Sequence, residues 1–271
     1  MDPAIEKVIK ALERRLMRGW AAADAAEAQE IVTRIVPKDA VVGIGDSSSV
    51  RQVGVVEALK QKGNRVINPF DPSLEATDLE THFDYDFGPM LEATICDVFL
   101  TGSNAITEDG KIVNIDGNGN RVAGMFWGHP TSILIMGKNK ITKNLDEAMD
   151  RVKNVISPEH IRRKGAPSPC TKTGHCHDCL GPAKVCAVTT IIERNTPHTA
   201  IHVIIVNEDL GLGWDRSWPE ERINRIIARH EEHMCLCPLP TWFLDKGNTA
   251  KLWQMAKTKG RWALSAPRNE E

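Results

Sequence analysis

The 271-residue chain is 41% hydrophobic, enough for a sizeable buried core in one large α/β domain or two small ones. Its 34 basic and 36 acidic residues leave a net charge of −2, so the whole-chain field draws it neither to nucleic acid nor to an anionic membrane. No apolar run approaches the roughly eighteen residues of a membrane span, and Met1-Asp2-Pro3-Ala4-Ile5-Glu6 lacks the basic start and apolar core of a signal peptide. The expectation is a cytoplasmic protein.

Ile5, Val8, Ile9, Leu12 and Leu16 recur at helical spacing and predict an amphipathic helix from about residue 3 to about 19. An alanine-rich helix follows and reaches Ile35 before Pro37 breaks it. Residues 40–45 read as a short buried strand, residues 45–49 as its turn, and Val50 to Lys62 as a helix stopped by Gly63. Residues 65–68, 97–101, 111–115 and 132–136 have strand character, and Leu145 to Val155 returns to helical spacing. The Pro- and Gly-rich segment from Pro158 to Pro169 predicts a pause, followed by strands at 189–192 and 200–206 and a helix from about Pro219 to Glu232. Strands interleaved with helices predict an α/β fold with a mostly parallel sheet flanked by helices, and with binding loops at the strand ends. The expected organisation is one α/β domain over 1–235, which includes a cysteine-rich metal loop at 165–188, and a carboxy-terminal extension over 236–271.

Four of the seven cysteines, Cys170, Cys176, Cys179 and Cys186, fall within seventeen positions. Reduced thiols so clustered on a loop with Pro167, Pro169, Gly174, Gly181 and Pro182 point to a metal site. A Cys-x-x-Cys pair flanked by single cysteines departs from the two short pairs usual at zinc and favours a [4Fe-4S] cluster, with zinc as the alternative. His175 and His177 are further candidate ligands at zinc. The same thiols also fit a site with no metal, or a redox disulfide pair. Cys235 and Cys237 form a weaker pair, read as packing.

The turn Gly45-Asp46-Ser47-Ser48-Ser49 offers backbone amides and hydroxyls to an anion. It is neither a Walker loop nor a full dinucleotide glycine pattern, so nucleotide binding is not indicated. Two polar loops, Gly102 to Gly110 and Asn114 to Arg121, add amides, carboxylates and a guanidinium. Candidate substrate-binding residues are Gly45, Ser47, Ser48, Ser49, Arg51, Asn104, Thr107, Asn120 and Arg121. His129 is a candidate general acid or base.

The motifs at 41–51, 100–110 and 114–122, with the cysteine segment and Thr189 to Arg194, resemble the LUD-domain, or lactate-utilization, family and its cysteine-bearing branch common in anaerobes. The resemblance covers roughly residues 5 to 230. It implies the fold shared by ribose-5-phosphate isomerase, aminosugar-phosphate deaminases, methenyltetrahydrofolate synthetase and coenzyme A transferases, with substrate at the strand ends. By analogy with the acid/base carboxylates of the isomerases, Asp109 and Asp116 become candidate catalytic residues. It also implies a role, with iron-sulfur partner proteins, in oxidizing lactate to pyruvate. The stretch from Leu236 to Glu271 departs from the family pattern.

The expected function is therefore an iron-sulfur protein of lactate-type organic-acid metabolism, either an oxidoreductase component or a lyase or isomerase. Its expected partners are a small anionic metabolite, an iron-sulfur redox protein and further copies of the chain. One alternative is an isomerase, hydrolase or transferase whose metal only staples the loop. Another is a non-enzymatic accessory module that docks a partner through Trp242 and Trp253.

Overall fold

A computed structural model describes residues 2–71, 88–180 and 184–234. Gly181, Pro182, Cys235, Cys237, Trp242, Trp253 and the whole 236–271 extension lie outside the described residues.

Helix α1 (Pro3–Arg14) starts where Asp2 accepts the Ala4 amide at 2.9 Å, and it buries Ile5, Val8 and Leu12. It stops well before residue 19, because Leu16 turns into the left-handed region at φ 60° and residues 18–22 are drawn into strand β1 (Arg18–Ala22). Helix α2 (Ala25–Ile35) is capped by Asp24 and followed by β2 (Val42–Ile44). The helix expected from Val50 to Lys62 is two helices, α3 (Ser48–Val53) and α4 (Val55–Lys62), divided at Gly54 with φ 73°. Next come β3 (Val66–Ile67), α5 (Gly88–Thr94), β4 (Val98–Gly102), β5 (Ala105–Thr107), β6 (Ile112–Asp116), α6 (Asn120–Gly124), β7 (Thr131–Gly137) and β8 (Ile141–Thr142).

Helix α7 (Leu145–Arg151) passes through a π turn at Val152–Ile156 into α8 (Ser157–Arg163). The pause expected at Pro158 does not occur, since the helical path continues through the π turn and carries Pro158 into α8. The chain ends its described course with α9 (Cys170–Thr173), β9 (Val188–Ile192), β10 (Ala200–Val206) and α10 (Glu220–Glu232).

The strands form two sheets. The larger has the order β1-β10-β7-β4-β2-β3 with every pairing parallel, and the smaller has the order β8-β5-β6-β9. The fold is thus α/β, with a mostly parallel six-stranded sheet flanked by helices. Alternation along the central strands assigns its faces. Ile133, Ile135, Ile204 and Val206 pack under α2, α3 and α4, whereas Leu134, Met136, Val203 and Ile205 pack against α1 and against Ile106 and Ile112 of the smaller sheet. Residues buried on both faces explain why β7 and β10 read as unbroken apolar runs. Glycine is required at position 43, where a Cβ would stand 1.8 Å from the Ala93 carbonyl oxygen as α5 crosses β2. Among the described residues, no helix is long and apolar enough to cross a membrane.

Candidate functional site

Four parallel strands, β2, β4, β7 and β10, end on the same side of the sheet, and the loops that follow them enclose a cavity of about 230 Å³. The chain leaves β2 toward the helical face through α3 and leaves β4 toward the smaller sheet through β5, which opens the crevice in which doubly wound folds bind ligands. From β2 come Asp46, Ser47, Ser48, Ser49 and Arg51, and from β4 come Ser103 and Asn104. Lys140 follows β7, Gly211 and Leu212 follow β10, and His160, Lys164 and His230 approach from α8, its carboxyl end and α10.

Arg51, Arg121, Lys140 and Lys164 face Asp46 and Asp116, so the lining has more cationic than anionic side chains and suits a small anion. Burial pushes the Asp46 carboxyl upward, yet Arg51 at 2.9 Å, with Lys164 and His160, outweighs it and holds the group ionised well below the usual carboxylate range. Burial lowers His160 to about 4 and His230 to about 2, so both rings are neutral at physiological pH. Their rings meet edge to face at 5.9 Å, and His230 Nδ1 shares a hydrogen bond of 2.8 Å with Ser48 Oγ. His230 Nε2 is buried and has no hydrogen-bond partner among the described residues. Burial first, then the charges of Arg121 and Arg151, bring the Lys140 ammonium down to about 7.

Arg121 is wired into the scaffold on every side. It ion-pairs with Asp116 at 3.1 Å and donates to the Ile115 carbonyl at 2.7 Å and to Asn114 Oδ1 at 3.0 Å. Asp116 also accepts the amides of Asn118 and Gly119 at 3.0 and 2.7 Å, which fixes the turn that leads to Asn120. Asn104 and Asn114 cross-link the β4–β5 and β6 segments through the Asn104 and Ile115 amides. Arg121 and Asp116 are therefore bound up in holding the cavity wall, a role turn sequence alone did not separate from catalysis.

Ser47, Ser48, Ser49, Arg51, Asn104, Asp116, Asn120 and Arg121 all line this cavity. Gly45 adjoins it, and a Cβ there would meet Phe99 and Thr101 at 2.8 Å. Three expected site residues lie elsewhere. Thr107 is buried in the smaller sheet and donates to Asp109 at 2.5 Å, while Asp109 faces outward and pairs with Arg15 at 2.7 Å and Lys111 at 2.8 Å. Burial raises the Asp109 carboxyl, but Lys111 and Thr107 prevail and hold it at about 2, the setting of a hairpin-turn anchor. His129 stacks on Phe99 at 5.4 Å and hydrogen-bonds the Thr94 carbonyl at 3.1 Å, and burial lowers its pKa.

The four clustered cysteines line a second cavity, of about 90 Å³. Ile161, Ala166 and Val185 pack around Cys170 and Cys186 as an apolar lining of the kind that surrounds metal centres. Burial, and then mainly the neighbouring thiols, raise Cys170 and Cys186, a mutual repulsion that a cationic centre would relieve. This donor set fits a thiolate-bound metal. Among the described residues, however, no three His, Cys, Asp or Glu side chains already stand close enough to hold an ion, so binding requires the thiols to draw together. His177 lines the same space. Ile115, Ser157, Ile161, Val185 and Cys186 line both cavities, which are therefore neighbours across a shared wall.

Sequence patterning missed Lys140, His160, Lys164 and His230. Lys140 reads as a polar turn, and the other three read as polar positions on or beside helices. The usable signal is a titratable residue on the apolar side of an amphipathic helix, where Ile226 and His230 share burial in α10.

No curated protein matches the chain. Among solved structures, the crystal structure of a DUF162 family protein from Deinococcus radiodurans is similar with a TM-score of 0.40 and 14% identity, covering 75% of this chain and 98% of that one. Residues 5–206, from α1 to the end of β10, match the LUD domain, which leaves α10 and His230 beyond the matched span. The chain belongs to the LUD-domain family.

Proposed function

We propose that this LUD protein is an iron-sulfur component of lactate-type organic-acid metabolism, binding a small carboxylate in the strand-end cavity. Cys170, Cys176, Cys179 and Cys186 would hold a [4Fe-4S] cluster. The observation that supports this reading is Cys186, which lines both cavities, so a cluster held there would lie next to a carboxylate bound in the larger one. When bound, a cluster of this type supplies one-electron exchange. The protein's own residues supply the rest. The cationic excess of the lining, to which Arg51 and Arg121 contribute although each is ion-paired, draws a carboxylate, Ser49 offers a hydroxyl, and the Ser48–His230 pair presents a neutral imidazole at the cavity wall. Family membership supports the metabolic setting.

Anaerobic reconstitution with iron and sulfide tests the reading. It should give a brown protein with stoichiometric iron, and lactate or pyruvate should perturb the electron paramagnetic resonance of the reduced cluster. Stoichiometric zinc with no iron overturns the cluster, and an unperturbed spectrum overturns its link to the substrate. A second reading, an acid-base transferase or isomerase whose metal only staples the loop, is favoured by the 2.8 Å contact between Ser48 and His230. It predicts turnover that survives removal of the metal.

A further inference from the structure

Lys140 stands in a setting that neither charge balance nor packing alone accounts for. It ends a short 3₁₀ turn after β7, and its neighbour Asn139 ties the facing loop in place by accepting the Leu210 amide and donating to the Gly213 carbonyl, each at 2.9 Å. Gly211 and Gly213, at φ 62° and 137°, let that loop wrap the lysine stem. A Cβ at Gly211 would meet Ser49 Oγ at 2.8 Å and Lys140 Nζ at 3.4 Å. The side chain is thus held in a channel that delivers Nζ to the cavity beside Ser49, with Arg121 and His230 close enough for charge to be felt between them.

Only 3% of the residue is exposed, yet among the described residues no carboxylate pairs with it. Its hydrogen bond goes to the Leu212 carbonyl, and the charges that act on it are the guanidinium groups of Arg121 and Arg151. A buried ammonium with cations around it gives up its proton readily, and a free amine in a substrate cavity is a nucleophile.

We propose that Lys140 Nζ is a covalent nucleophile that forms an imine with the keto carbon of a small 2-oxo acid bound in this cavity. The inference rests on reading the cavity as a carboxylate site and deepens it by naming the substrate class. The amine lone pair adds to the carbonyl carbon as the carbonyl π electrons move to oxygen, which takes up a proton. The carbon–oxygen bond then breaks with a second proton, oxygen leaves as water, and nitrogen's electron pair completes the C=N bond. The two protons in that water balance the two lost by the amine, and no oxidant or reductant is needed. The Ser49 hydroxyl, beside Lys140 Nζ in the cavity, is placed to relay them.

Borohydride trapping on the full chain provides the test, run in parallel with calorimetric binding of pyruvate and lactate. With pyruvate, peptide mass spectrometry should find one reduced adduct, on Lys140, whereas lactate, which has no carbonyl, should give none. Lys140→Gln should lose the adduct entirely, and because the mapping is done on the unmodified chain the result stands even if that variant fails to fold. Pyruvate that binds without an adduct, or adducts scattered over surface lysines, would overturn the nucleophile and leave the carboxylate site intact. Absence of binding by either acid would overturn both.

Discussion

The two adjoining cavities are built in opposite ways. The strand-end cavity takes its walls from the ends of four neighbouring parallel strands and from the β6–α6 turn, α8 and α10 packed around them, and groups such as Arg121, Asp116 and Asn104 are already committed to bonds with other protein atoms. The cysteine cavity takes its thiols from a loop with one four-residue helix laid against β6 and α8, and Cys176, Cys179 and Cys186 are only partly buried. A site of the first kind binds with little rearrangement, because folding has already met the cost of ordering it. One of the second kind gains its order from the ligand, as metal binding commonly does when a preformed site is absent.

The sharpest way to break that contrast is Cys179→Ser. Reconstituted iron should fall from stoichiometric to none, while the unfolding free energy of the metal-free protein shifts by no more than about 0.5 kcal/mol. Retained iron, read by metal analysis, would show that Cys179 is not a ligand. Arg121→Met probes the other side of the contrast and should destabilise the fold by about 3 kcal/mol in urea, because it strands the buried Asp116 carboxylate. A loss near zero would mean that the wall does not depend on this wiring.

Acid should act on the same scaffold. His160 and His202 stand at about 4 when folded against an ordinary 6.5, so between those values the unfolded chain binds more protons than the native one. Stability is then fully present above about 6.5 and falls as the pH drops toward 4, with fully buried His160 alone accounting for about 3 kcal/mol in denaturant titrations. His160→Gln should flatten part of that slope, and an unchanged slope would remove His160 from the account. Smallest is Ser48→Ala, expected to cost about 1 kcal/mol for the lost hydrogen bond to His230.

Much of this frame is legible in the sequence because it rests on local patterns. The run at 200–206 reads as a strand and forms β10 over the same residues, and the helix expected from Pro219 is α10. Local pattern fails where partners are distant. Residues 18–22 become a strand because β10 pairs with them, although the helical spacing before them suggests continuation. Part of the candidate site is equally hidden. Ser48 and His230 lie 182 positions apart, and no periodicity in either segment announces that they meet. Asp109 drew attention for its chemistry, yet Asp109-Gly110 serves as the hairpin turn that the same dipeptide favours.

The place of β10 between β1 and β7 also governs when the molecule can become whole. Of the strands described, synthesis makes β1 first, but its partner in the main sheet arrives about 180 residues later, with Arg18 set against His202. Until residue 206 has emerged, β7 is an open edge of the sheet and β1 has no strand to join, a hazard that falls on nascent or truncated chains. The strand made first is the strand placed last.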